Sequence, residues 1–131
     1  MAKTYLRAQS AHDNSTDILL EQAWNTRRAA YDRYNALPFS EEPGETLTPQ
    51  ELAEWAIIDA AEEAIRANAA STPRGAATKL WIAVQHAITD RPDEAAVLRR
   101  DLQWFADDEG QDWTVRLILA ALRSLAAMEA A

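Results

Sequence analysis

Tryptophan occurs once in every stretch of this chain that carries helical apolar periodicity, at Trp24, Trp55, Trp81, Trp104 and Trp113. Large amphipathic rings spaced one per helix are a means of filling a shared core in a small bundle. The background composition points the same way. Alanine is abundant, β-branched residues are scarce, and Gly44, Gly75 and Gly110 are the three glycines, a mix that favours helix almost throughout. The expected fold is therefore all-α: a single-domain bundle of about five helices with a long N-terminal antiparallel helical hairpin.

The chain's 131 residues are one domain's worth of material. A domain of that size buries roughly two-thirds of its unfolded surface and needs no covalent staple. Cysteine is absent, which excludes a disulfide framework, a thiolate metal site and a cysteine nucleophile. That absence suits a reducing cytosol, and the expected location is cytoplasmic. Met1 to His12 lacks the apolar core of a signal peptide, and no apolar run is long enough for a membrane span. The net charge of −8 argues against nucleic acid or an anionic membrane as the general partner, and it favours solubility in any case.

Punctuation divides the chain. Residues 1–14 show no period and are expected as a flexible arm, with the helical bundle occupying 15–131. Asn14 or Ser15 would cap a first helix running to about Ala36 and ending at Leu37-Pro38. Its inward stripe would be Leu19, Leu20, Ala23, Trp24, Ala30, Tyr31 and Tyr34. Thr48-Pro49-Gln50-Glu51 reads as a capping box with proline at the first helical position, opening a second helix to about Ala70. Ile57, Ile58, Ala61, Ala64 and Ile65 share its inner face. Thr72-Pro73 starts a third helix, to about Thr89, that buries Leu80, Trp81 and Val84. A fourth is expected from the Asp90–Pro92 corner to about Ala106. Asp112 caps a fifth, apolar around more than half its circumference, as for a helix deep in a bundle or against a second chain.

Chemical constellations are thin. His86 and Asp90 lie one turn apart, which is half a metal site at most, and His12 belongs to the N-terminal arm. Asp59, Glu62 and Glu63 cluster on the second helix without a cleft to differentiate them, and Glu62 is placed to pair with Arg66. The acidic turn 107–112 fails as a calcium loop, because counting Gly110 as its sixth position puts Phe105 first. No phosphate-cradling glycine loop or GxSxG elbow exists. Neither a cofactor nor a metal is expected. The basic doublets Arg27-Arg28 and Arg99-Arg100 each sit on a helix among acids, too little positive charge for a DNA reader.

Three features point to a contact surface. Arg27 falls inside the first helix's apolar stripe. It would snorkel over the rings at the bundle edge, pin the helix register, or serve as an interface arginine. Ile82 falls on the outer face of the third helix, with Lys79 and His86. If the helices alternate up and down, the 38–47 linker and the Asp90 corner meet, gathering Glu41, Glu42, Glu45, Asp90, Asp93 and Glu94 at one end. Acids stabilise helix starts, but Glu41 and Glu42 lie too far before Thr48 for that role. An acidic docking end is expected.

The runs Glu21-Gln22-Ala23-Trp24-Asn25-Thr26-Arg27-Arg28-Ala29-Ala30-Tyr31-Asp32, Asp59-Ala60-Ala61-Glu62-Glu63-Ala64-Ile65 and Thr72-Pro73-Arg74-Gly75-Ala76-Ala77-Thr78-Lys79-Leu80 carry a likeness. Over about Glu21 to His86 the chain resembles a group of small alanine-rich helical proteins encoded in alphaproteobacterial genomes, often near prophage genes. The resemblance implies a bacterial or phage intracellular setting and carries no activity, cofactor or catalytic residue.

The expected function is a non-catalytic protein-interaction module, of regulator or inhibitor type, binding a protein partner through its surface. The alternative is a structural homodimer built on the fifth helix or the leading hairpin.

Overall fold

The computed structural model describes residues 2–38 and 46–131, with side chains from residue 16 onward. These residues form α1 (Ala2–Ala36), α2 (Pro49–Ala67), α3 (Pro73–Ala87), α4 (Arg91–Leu98), a single 3-10 turn (Leu102–Phe105) and α5 (Trp113–Ala130), with no strand among them. The architecture is all-α, as the composition required. Arg33 meets Glu54 and Arg27 meets Glu62, so α1 and α2 run antiparallel as the leading hairpin. α3 packs on both members of that pair and, on its other side, on α5.

Local chemistry sets most helix starts. Thr48 and Glu51 exchange side-chain and backbone hydrogen bonds in a reciprocal capping box, with Pro49 at the first helical position. Thr72 accepts from Gly75 N, and Asp112 accepts from Val115 N. α1 departs from expectation: it begins at Ala2, well before the proposed cap at Asn14 or Ser15. Residues 2–11 are mainly Ala, Lys, Leu, Arg and Gln, good helix formers, so a central Asn-Ser pair does not interrupt the helix.

α4 is also shorter than its periodicity suggested, because the chain reverses at Arg99–Asp101. Asp101 N donates to Ala96 O and Arg100 N to Val97 O, the paired bonds of a Schellman motif, with Arg100 at φ 52° where glycine is usual. The remaining periodic residues make the 3-10 turn, whose Phe105 is buried.

The core divides unevenly. Leu20, Trp24, Ile65, Trp81, Phe105 and Leu119 belong to the main cluster, with Trp81 and Phe105 rings 6.1 Å apart. A smaller cluster joins Ala30, Tyr31, Ile58 and Leu98, and Trp55 meets the Tyr31 and Tyr34 rings edge-on at 5.7 and 5.3 Å. The expectation of one core tryptophan per helix fails at Trp104 and Trp113, which are 50% and 72% exposed. Trp113 is the first residue of α5, and Trp104 lies in the 3-10 turn with its indole donating to Asp93 while Phe105 takes the buried place. Leu19 and Ile57, placed on inner stripes from sequence, are exposed as well.

Candidate functional site

Two arginines organise the polar interior. Arg27 on α1 is fully buried, and Trp24 and Tyr31, one turn before and after it, lie under its guanidinium at 5.3 and 4.8 Å. Its Nε donates to Glu62 of α2 at 2.9 Å and its Nη2 to Gln85 of α3 at 2.6 Å. Nη1 and the Trp24 indole nitrogen are buried without a hydrogen-bond partner among the described residues. Burial raises the Tyr31 phenol above its ordinary value, although the Arg27 charge opposes the shift. Arg27 thus pins three helices together. It neither snorkels at the edge nor reaches a surface, which corrects its placement among interface residues.

Arg100 makes the second centre. Its left-handed backbone lets the guanidinium lie 5.1 Å over the Trp24 ring and grip Glu21 of α1 with two bonds, at 2.9 and 2.5 Å. Arg74 of α3 adds a third at 3.1 Å. The hydrogen bond from Arg100, reinforced by Arg74 and opposed by burial, holds the Glu21 carboxyl at about 2. Next to this cluster, Asp17 accepts from Ser71 N and the Thr72 hydroxyl, docking α1 on the start of α3. A Cβ on Gly75 would stand 2.7 Å from the Asp17 Oδ1, so a larger residue there would displace the carboxylate from its place against Ser71 and Thr72. Lys79 Nζ caps the end of α2 through the Ile65 and Asn68 carbonyls.

The expected carboxylate pairings change accordingly. Arg66 bonds Glu63, leaving Glu62 to turn inward to Arg27. His86 is exposed and its Nε2 lies 3.5 Å from Glu62 Oε2, away from Asp90. Among the described residues no three His, Asp or Glu side chains gather to hold a metal, and no helix is long and apolar enough to cross a membrane.

Of the expected acidic end, Glu41, Glu42 and Glu45 lie outside the described residues. Asp90 is exposed and makes no side-chain cap bond. Asp93 is engaged internally, accepting from the Trp104 indole and the Gln111 amide. Glu94 faces sideways into a groove toward α1. Ile82 packs against the main core cluster, correcting its outer placement: α3 is covered on two sides, so a single-stripe reading of its wheel misassigns the second.

Three surface features remain. An apolar hollow of about 340 Å³ between α3 and α5 is lined by Ala77, Trp81, Leu122 and Leu125, with Arg74 and Arg100 at its rim. A groove of about 460 Å³ between α1 and α4 is lined by Arg28, Asp32, Asn35, Arg91, Glu94 and Arg99. The third is the outward side of α5. Val115, Leu119 and Leu122 face inward, and the opposite face presents Trp113, Leu117, Ala120, Ala121, Ser124 and Met128, none of them charged, with the Arg116 guanidinium at its edge 5.9 Å over the Trp113 ring. Sequence reasoning named the fifth helix but missed the groove. Its available signal was the basic doublets, since adjacent residues of a helix point about 100° apart, and two neighbouring guanidinium groups do not share one buried partner set. Compared with known proteins, the chain matches no family model, no curated protein and no solved structure.

Proposed function

We propose that the protein is a non-catalytic interaction module that binds an amphipathic helix of a protein partner along the outer face of α5. The observation that carries this reading is the uncharged stripe itself, with Trp113, Leu117 and Met128 exposed by 72%, 60% and 61%. In a chain with 26% charged residues, solvated helix faces elsewhere hold acids and bases, as Glu63 and Arg66 do on α2. A stripe of this kind is characteristic of a surface that is covered in use.

The small Ala120, Ala121 and Ser124 at mid-stripe suit a helix as occupant, since they allow two helix axes to approach to about 8 Å. Trp113 and Met128 would close over its ends. The net charge of −8 disfavours a second copy and favours a different protein. The polar groups best placed for chemistry are taken up in ion pairs, Glu62 with Arg27 and Glu21 with Arg100 and Arg74, instead of facing a cleft. A cytoplasmic, bacterial or phage setting belongs to the same proposal.

Site-specific photo-crosslinking in the producing cells tests it. A crosslinker replacing Ala121 should capture one partner protein, the same crosslinker replacing exposed Ala53 on α2 should not, and Leu117→Glu with Met128→Glu should abolish capture. No adduct from position 121 overturns α5 as the docking face. An adduct with a second copy, matched by dimer mass in light scattering, replaces the foreign partner with self-association.

A further inference from the structure

We propose that the groove between α1 and α4 is a binding site for a small phosphate monoester bearing hydroxyl groups, held by Arg28, Arg91 and Arg99. The argument begins with how cations are distributed. Every other arginine from residue 16 onward holds a carboxylate, and Lys79 holds the end of α2. Among the described residues Arg28, Arg91 and Arg99 form no ion pair, yet acids outnumber bases 21 to 13. All three line the same groove.

Their convergence follows from the backbone. Each basic doublet divides its labour: Arg27 and Arg100 are locked inside by Glu62 and Glu21, which leaves Arg28 and Arg99 facing outward across the groove. Arg91, in the first turn of α4, completes the set. Anchored inner neighbours keep the outer arginines on a rigid frame, a requirement for a defined site.

The lining also selects the ligand. Guanidinium forks match the oxygens of phosphate, and three forks offer more donors than one carboxylate can accept. Asp32 and Glu94 stand in the same wall. They repel a polyanion such as nucleic acid and, with the Asn35 amide, offer acceptors to hydroxyl groups. Ala95 and Leu98 give the groove an apolar floor. A volume of about 460 Å³ is in the range of small-molecule sites. The site does not involve α5 and stands or falls separately from partner docking.

Calorimetry and amide-shift mapping of the full chain with ribose 5-phosphate, inorganic phosphate and ribose provide the test. Ribose 5-phosphate should bind saturably, more tightly than phosphate, with shifts centred on Arg28, Asn35 and Arg99, and ribose alone should not bind. Arg28→Gln or Arg99→Gln should weaken binding by about tenfold or more, the loss expected for a charged hydrogen bond. Arg33→Gln, outside the groove, should leave it unchanged, and thermal midpoints confirm that each exposed variant folds. Absence of saturable binding, equal binding of ribose, or equal weakening by Arg33→Gln overturns the site.

Discussion

Arg27 is costly to bury, and the manner of its burial dictates which mutation hurts most. Its charge is shielded from water entirely, whereas its partner Glu62 keeps 21% of its side chain exposed and has His86 3.5 Å away. Removing the carboxylate leaves a buried cation with Gln85 as its remaining side-chain acceptor. Removing the cation leaves an anion that reaches solvent. Glu62→Leu should therefore destabilise the fold by about 3–5 kcal/mol, the usual cost of orphaning a buried charge. Arg27→Met, which keeps packing under the Trp24 and Tyr31 rings, should cost about 1–2 kcal/mol. Urea denaturation measures both, and equal losses would show that the cation is no worse off without its partner than the part-exposed anion is. The sequence made half of this legible: a guanidinium in an apolar stripe demands partners. Glu62 on α2 and Gln85 on α3, polar side chains turned inward, were the matching half. A search for apolar periodicity passes over them because it scores what is apolar and ignores what a buried charge needs.

The starts of α2, α3 and α5 were readable and the end of α4 was not, for a physical reason. Capping at Thr48, Thr72 and Asp112 rests on contacts within four residues, so residue types at fixed spacing suffice. The Schellman turn after α4 has arginine where glycine would have announced it, and what holds Arg100 there is Glu21, distant in sequence. Strain and ion pair oppose each other at this one residue. Arg100→Ala retains the left-handed strain and loses the Glu21 grip and the contact over Trp24. Arg100→Gly loses the same contacts but relieves the strain, by about 1 kcal/mol. The expected order of stability is native, then Gly, then Ala, with the last two separated by about that amount in urea unfolding. A glycine variant more stable than the native chain would mean that the grip is weaker than the strain it offsets.

On the scale of the whole molecule, Glu21 ties α1 to α3 through Arg74 and to the end of α4 through Arg100, so its ionisation is coupled to assembly of the bundle. In the unfolded chain the carboxyl titrates near 4.5, and in the folded protein near 2. The folded state therefore binds fewer protons between those values, and stability falls as the pH drops through them. The contribution is fully present above about pH 5 and is lost toward pH 2. With Glu21 about a third exposed, solvent screening reduces it to about 1–2 kcal/mol. Other carboxylates also protonate over this range, so the informative quantity is a difference. The native protein should exceed Glu21→Gln in stability at pH 6, and the gap should close steadily as pH is lowered from about 4.5 to 2. A gap independent of pH would assign Glu21 a packing role and remove the electrostatic tie. Because the same pair positions Arg100 and hence its neighbour Arg99, acid below pH 3 should also loosen the α1–α4 groove before α5 leaves α3. That order is measurable as earlier amide exchange at Arg99 than at Leu119, and simultaneous exchange would show one cooperative unit.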